Sequence, residues 1–158
     1  MARVEPILLS ALGRYRDALE ARFGQELLVV AAFGSQVTGT ARPESDLDVL
    51  LIIRGLPRRR LDRRRLVDPV AHDVSDAFAE RASTILLTPE EAGSVKPFYL
   101  GMLEGHLALL DRGGFLAGVL SRLRERLRAL NARQLRDEYG NVYWDLKPDY
   151  VLGENVVL

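Results

Sequence analysis

Two apolar runs, Leu27–Phe33 and Leu47–Ile53, constrain this chain more than any other feature. The first reads Leu-Leu-Val-Val-Ala-Ala-Phe without a polar residue and stops at Gly34. That length, bounded by glycine, favours a buried strand over a helix. The second, entered through Asp46, reads Leu-Asp-Val-Leu-Leu-Ile-Ile. It is a second buried strand whose acidic residues are confined to its start. Residues 34–45 between the runs are rich in Gly, Ser, Thr and Pro and predict a loop with one helical turn after Ser35.

Other segments arrange themselves around this pair. Residues 5–23 predict a helix, with Pro6 in its first turn, apolar residues at three- and four-residue steps and Gly24 at its end. Residues 69–80 predict another, with Asp68 as cap and Pro69 at the first position. Thr84–Leu87 is a third strand, and Thr88-Pro89-Glu90-Glu91 matches a capping box that opens a helix. His106–Leu110 is a fourth strand. Residues 115–130 form an amphipathic helix whose face of Phe115, Leu116, Val119, Leu120, Leu123, Leu127 and Leu130 is core or a partner interface. In the tail, Tyr139-Gly140-Asn141 turns between two short extended pieces.

Composition narrows the chemistry. A chain of 158 residues, 47% hydrophobic and 28% charged, suits one soluble globular domain. With no cysteine, disulfides, thiolate catalysis and thiolate metal sites are excluded. His72 and His106, the only histidines, read as packing or surface residues. The 22 basic residues balance 22 acidic ones, which argues against a general nucleic-acid coat or a polybasic membrane binder. No segment carries a targeting signal or a membrane span, so a cytoplasmic location is expected. All the basic residues except Lys96 and Lys147 are arginine. Arg58-Arg59-Arg60 and Arg63-Arg64-Arg65 form a cluster that reads first as a solvated face and otherwise as a contact for RNA, nucleotide phosphate or an acidic protein partner.

The chemistry-bearing stretch is Gly34-Ser35, a ten-residue spacer, then Asp46-Leu47-Asp48. Glycine at a strand end lets backbone approach a ligand closely, and Ser35 stands where N–H groups begin to point outward, an anion site. Asp46 and Asp48, two residues apart on a strand, project from one face. Their mutual repulsion is relieved by a divalent cation, and hard oxygen ligands that leave room for water and phosphate suit magnesium. A phosphate grip facing a carboxylate pair points to phosphoryl or nucleotidyl transfer.

This stretch, Phe33 through Asp48 with Ser45 before the first aspartate, resembles the signature of the DNA polymerase β-like nucleotidyltransferases, and among them the minimal nucleotidyltransferases (MNT) of bacteria and archaea. The resemblance is strong over residues 27–92 and weaker from Phe115 to Asp149. It implies an α+β fold: a mixed, mostly antiparallel sheet with helices on one face, plus a C-terminal helix and a short extended tail. Residues 1–112 would be the nucleotidyltransferase domain, and 113–158 would pack on it or on a partner subunit. It implies that Gly34 and Ser35 hold the triphosphate of a nucleotide, with ATP expected, and that Asp46 and Asp48 are catalytic and bind two Mg2+ ions. Arg42 and Ser45 join the nucleotide-binding residues; Arg42 would neutralise phosphate or stand solvated. The acceptor would be a hydroxyl supplied by another molecule, as in toxin–antitoxin pairs of an MNT protein with a HEPN-type partner. Homodimerisation stays open.

The chain departs from the family's pattern at one place. Members carry a third carboxylate on the next strand, but Ser83-Thr84-Ile85-Leu86-Leu87-Thr88 has none. Glu80, Glu90, Glu91, Asp73 and Asp76 are the nearby substitutes. The alternative function is therefore a nucleotide-binding or antitoxin-like interaction module with weakened catalysis.

Overall fold

The computed structural model describes residues 4–158; Met1–Arg3, the start of the segment read for a targeting signal, lie outside them. The two apolar runs are strands β1 (Leu27–Phe33) and β2 (Leu47–Ile53). They pair antiparallel at the centre of the main sheet, with Phe33 opposite Asp48 and Leu27 opposite Ile53. Strand β3 (Ala82–Leu87) runs parallel to β2 on one side, and β4 (His106–Asp111) runs antiparallel to β1 on the other. The order is β3-β2-β1-β4, a mixed and mostly antiparallel sheet.

A parallel pair needs a crossover, and here it is helical. α3 (Arg60–Val74) and α4 (Asp76–Arg81) carry the chain from β2 to β3. The expected helix over 69–80 is thus two helices. α3 begins nine residues before Pro69, which lies inside it, and Ser75 rather than Asp68 caps the next helix, accepting a hydrogen bond from the Phe78 N–H. Leu66, Val67, Val70, Ala71 and Val74 make one apolar stripe through Pro69, and burying that stripe outweighs the backbone hydrogen bond proline lacks.

Each central strand is apolar on both sides, so each face of the sheet needs cover. Val30, Ala32, Val49, Leu51 and Ile53 point to one face, where they pack against α1 (Pro6–Phe23), α3 and α4 through Leu12, Tyr15, Leu19, Val67 and Phe78. Val29, Ala31, Phe33, Leu50 and Ile52 point to the other. That face is covered by α5 (Pro89–Ala92), α6 (Pro97–Glu104) and α7 (Phe115–Ala129). The helices expected on one face are those of the crossover layer, and the C-terminal part of the chain builds a second layer opposite. Leu116, Val119, Leu120, Leu123 and Leu127 of α7 are buried there, so its leucine face is core.

After α7, β5 (Arg133–Arg136) and β6 (Val142–Asp145) form the antiparallel hairpin expected around Gly140. Trp144 packs its ring against the second layer. No helix of the described residues is long and apolar enough to cross a membrane.

Candidate functional site

The site is built where β1 ends and β2 begins. At the end of β1 the backbone turns sharply at Gly34, with φ 79°, ψ −161°, and enters the short helix α2 (Ser35–Thr38). A side chain is excluded at Gly34 for two reasons. Its φ lies in the region that L residues avoid, and a Cβ placed there would collide with the Asp48 carboxylate oxygen Oδ2. The Asp48 carboxylate therefore rests against bare backbone. Val37 and Thr38 N–H groups donate to the Gly34 carbonyl, while the N–H groups of Ser35 and Gln36 start the helix and face outward from its ladder.

The loop from Gly39 to Ser45 is folded back by its own polar groups. Gln36 Nε2 donates to the Ser45 carbonyl at 2.9 Å, and the Arg42 N–H donates to Ser45 Oγ at 2.8 Å. Ser45 thus closes the loop that leads into Asp46. Arg42 is exposed in that loop and makes no salt bridge among the described residues.

Asp46 is exposed and Asp48 half-buried. By strand alternation both lie on the face shared by Leu50 and Ile52, beneath the second helical layer. Neither meets a basic side chain or a hydrogen-bond donor among the described residues. Burial raises the Asp48 carboxyl above its ordinary range, and the charge of Asp46 pushes the same way. Two carboxylates offering hard oxygen donors, with no protein cation beside them among the described residues, are a donor set that would suit a divalent ion.

Across the sheet, the row at this level reads Ser83, Asp48, Phe33, His106. Ser83 stands beside Asp48 on the strand where the family's third carboxylate is expected. None of the five substitutes completes the site: no group of three or more His, Asp or Glu able to hold a metal occurs among the described residues. Asp76 is bound to His72 Nδ1 at 2.9 Å on the surface, and Asp73, Glu80 and Glu90 are exposed.

Glu91 is engaged elsewhere. Its carboxylate accepts the Thr88 N–H at 2.9 Å, closing the capping box with Thr88 Oγ1, and takes both arms of the Arg63 guanidinium at 2.7 and 2.8 Å. The Arg63 hydrogen bonds hold the Glu91 carboxyl down to about 2. Arg63, 8% exposed, also donates to the Pro57 and Leu86 carbonyls, which fixes the start of α3 against β3. Sequence reading placed Arg63 in a solvated cluster and missed this pair. Its only signals were a capping-box glutamate and an arginine run, separated by 28 residues and so not linked by spacing along the chain. The histidines behave as read: His106 Nδ1 lies 2.9 Å from the Met102 carbonyl, a packing contact.

The model of the family described as "Nucleotidyltransferase domain" matches residues 12–98, from α1 to the start of α6. A protein of Methanocaldococcus jannaschii named "Putative protein adenylyltransferase MJ1305" is 30% identical over 122 residues, covering 76% of this chain and 83% of that protein. Among solved structures, a toxin–antitoxin with AMP-PNP is 15% identical, covers 75% of this chain and 92% of its own, and superposes with a TM-score of 0.49. A Shewanella oneidensis complex of a tri-AMPylated HEPN toxin with its MNT antitoxin is 12% identical, covers 78% and 92%, and has a TM-score of 0.47. The matched segment holds Gly34, Ser35, Asp46 and Asp48, and with it the chain belongs to the nucleotidyltransferase domain family.

Proposed function

We propose that this protein transfers a nucleoside monophosphate, with ATP as donor, to a hydroxyl on a protein partner. One observation carries the reading: Asp46 and Asp48 stand together without a compensating cation among the described residues, and Asp48 lies against the bare backbone of Gly34. A fold that keeps a half-buried carboxylate beside another negative charge spends stability there, and such frustration marks functional sites. Gly34 and Ser35 receive the triphosphate, with the outward N–H groups of α2 on its oxygens. Arg42 adds positive charge from the loop that Ser45 and Gln36 hold closed. Asp46 and Asp48 hold magnesium, which when bound neutralises phosphate charge and favours departure of pyrophosphate. The protein acceptor is supported by the name of the M. jannaschii relative and by the resemblance to minimal nucleotidyltransferases, whose HEPN-type partners are the first acceptors to test. With Ser83 where a third carboxylate is expected, deprotonation of the acceptor hydroxyl falls to solvent or to a group the partner brings.

That same serine favours a second reading, a module that binds nucleotide and partner without turnover. Titration of ATP with magnesium, followed by pyrophosphate release in the presence of the partner, separates the two. The transferase reading expects release that depends on Asp46 and Asp48. Tight ATP binding with no release for any partner hydroxyl would establish the second reading instead.

A further inference from the structure

We propose that the cleft between the first turns of α3 and the end of β3 is a binding site for an oligophosphate anion, a linear di- or triphosphate, separate from the carboxylate site. It begins with uncompensated charge. From Arg54 to Arg65 the chain has seven arginines and one aspartate, within a protein of net charge zero. Arg63, Arg64 and Arg65 have carboxylate partners in Glu91, Asp68 and Asp62. Arg58, Arg59 and Arg60 have none among the described residues. These three stand at the start of α3, where Arg59 is the N-cap and makes no side-chain capping hydrogen bond. A helix is positive at that end, so cations there are unfavourable until an anion joins them.

The arginines border a cavity. A cleft of about 290 Å³ is lined by Arg58, Arg60 and Arg64 from the α3 side and by residues 84–87 of β3. Thr84, buried, forms its floor. Glu91 also lines the cleft, but both arms of Arg63 hold it, so its charge is neutralised. Behind the floor lies the Tyr15 hydroxyl, fully buried and without a hydrogen-bond partner among the described residues. The polar groups that act on it are Thr84, Asp68 and Arg64, and two of these line the cleft. A buried hydroxyl left without a partner is rare in a native fold and marks a place for a water or a ligand oxygen.

The ligand class follows from the lining. Guanidinium forks match phosphate oxygens. Arg58 and Arg60 bring two free charges, and Arg64 brings a third that it shares with Asp68 over 3.3 Å. A phosphate chain meets all three, where a single phosphate meets fewer. The volume stands at the lower end of the roughly 300–1,000 Å³ of ligand pockets, enough for a short phosphate chain. No aromatic side chain lines the cleft to stack a base, so recognition rests on phosphate.

The place is distinct from the carboxylates. Leu87 lies beside Ile52, and Ser83 beside Asp48, so the Leu87 end is about 13 Å along the sheet from Asp48. α3 also packs on the face opposite the one that Asp48 shares with Leu50 and Ile52. A nucleotide on Gly34 and Ser35 would leave the cleft empty, and the occupant is a second molecule.

The test titrates the full-length protein with sodium triphosphate, without magnesium, and follows the Ile85, Leu86 and Leu87 methyl groups by NMR. The expected result is saturable shifts of those methyls, unchanged in D46N/D48N and at least about tenfold weaker in R58A/R60A. R58K/R60K, which keeps charge but loses the forks, should fall between. Pyrophosphate and ADP distinguish the sources: ADP binding at least as tightly assigns the cleft to nucleoside oligophosphates, and weaker binding assigns it to free ones. No methyl shift at millimolar triphosphate, shifts confined to the Ser35 and Gln36 amides, undiminished binding in R58A/R60A, or tighter binding of a nine-nucleotide RNA would overturn the site. Cleft binding without any partner-dependent pyrophosphate release would remove the transferase reading and leave the cleft standing.

Discussion

Two neighbouring strands handle charge in opposite ways. At the start of β2, Asp46 and Asp48 share one face with no cation beside them among the described residues, and burial raises the Asp48 carboxyl. Past the far end of β3, Glu91 meets Arg63 in a two-armed pair and its carboxyl is held down to about 2. The first arrangement carries an electrostatic cost that no side chain among the described residues offsets. The second spends a charge to tie α3, α5 and β3 together. On the proposed function, the difference separates a group kept for a ligand from a group kept for the fold. It also explains why Glu91, close in sequence to the strand that lacks a carboxylate, is no substitute for it.

Substitution at the bare pair is the most forceful way to break that contrast. Asp48→Asn is expected to lower nucleotidyl transfer by about a thousandfold or more, read by pyrophosphate release, because removing one metal-ligating charge removes most of the electrostatic stabilisation. The same variant should melt about 1–3 °C higher, since it relieves a desolvated like charge. A lower melting temperature would show that Asp48 supports the fold as well. Glu91→Ala should give the reverse pattern, a loss of about 1–3 kcal/mol measured by urea unfolding, as the buried Arg63 guanidinium loses its partner and α5 its box. That range allows for solvent screening of Glu91, which is 40% exposed.

Acid titration sharpens the comparison, because the two carboxyls have opposite signs. Glu91 is depressed when folded, so its stabilisation is complete above its ordinary value of 4.5 and drains as pH falls toward about 2. Asp48 is raised when folded, so its penalty is complete only above its folded value and vanishes below its ordinary 3.8. The melting difference between the protein and Glu91→Gln should therefore shrink from pH 5 to about pH 2. The advantage of Asp48→Asn should shrink in the same direction while keeping its opposite sign. The smallest effect is reserved for His72→Ala: the exposed His72–Asp76 pair should contribute less than about 0.5 kcal/mol.

The legible parts of this molecule are those where one local rule acts alone. β1 and β2 announce themselves because an uninterrupted apolar run can only be buried, and Asp46 and Asp48 stand out because charge is rare at such a boundary. The Thr88–Glu91 capping box is a four-residue rule and forms as read. α6 was not legible: Phe98, Tyr99, Leu100, Met102 and Leu103 leave hardly a polar face, so no helical period shows, and only the α5–α7 layer decides its form. The start of α3 was hidden by its arginines, which mask a stripe that continues through Pro69. Arg63 was unreadable for a further reason. Its partner lies 28 residues away and is brought near by the crossover, not by spacing along the chain.

The contact between Gly34 and Asp48 makes the turn proposed to grip phosphate and the carboxylate pair a single part with two names. Any side chain at residue 34 must displace the Asp48 carboxylate, so the grip and the charge cannot drift apart by mutation at that glycine. Gly34→Ala should therefore cost stability, about 1–3 kcal/mol by urea unfolding, and nucleotide binding together. On the proposed function, a chain with the glycine retained but the aspartate lost would keep the nucleotide grip without the chemistry.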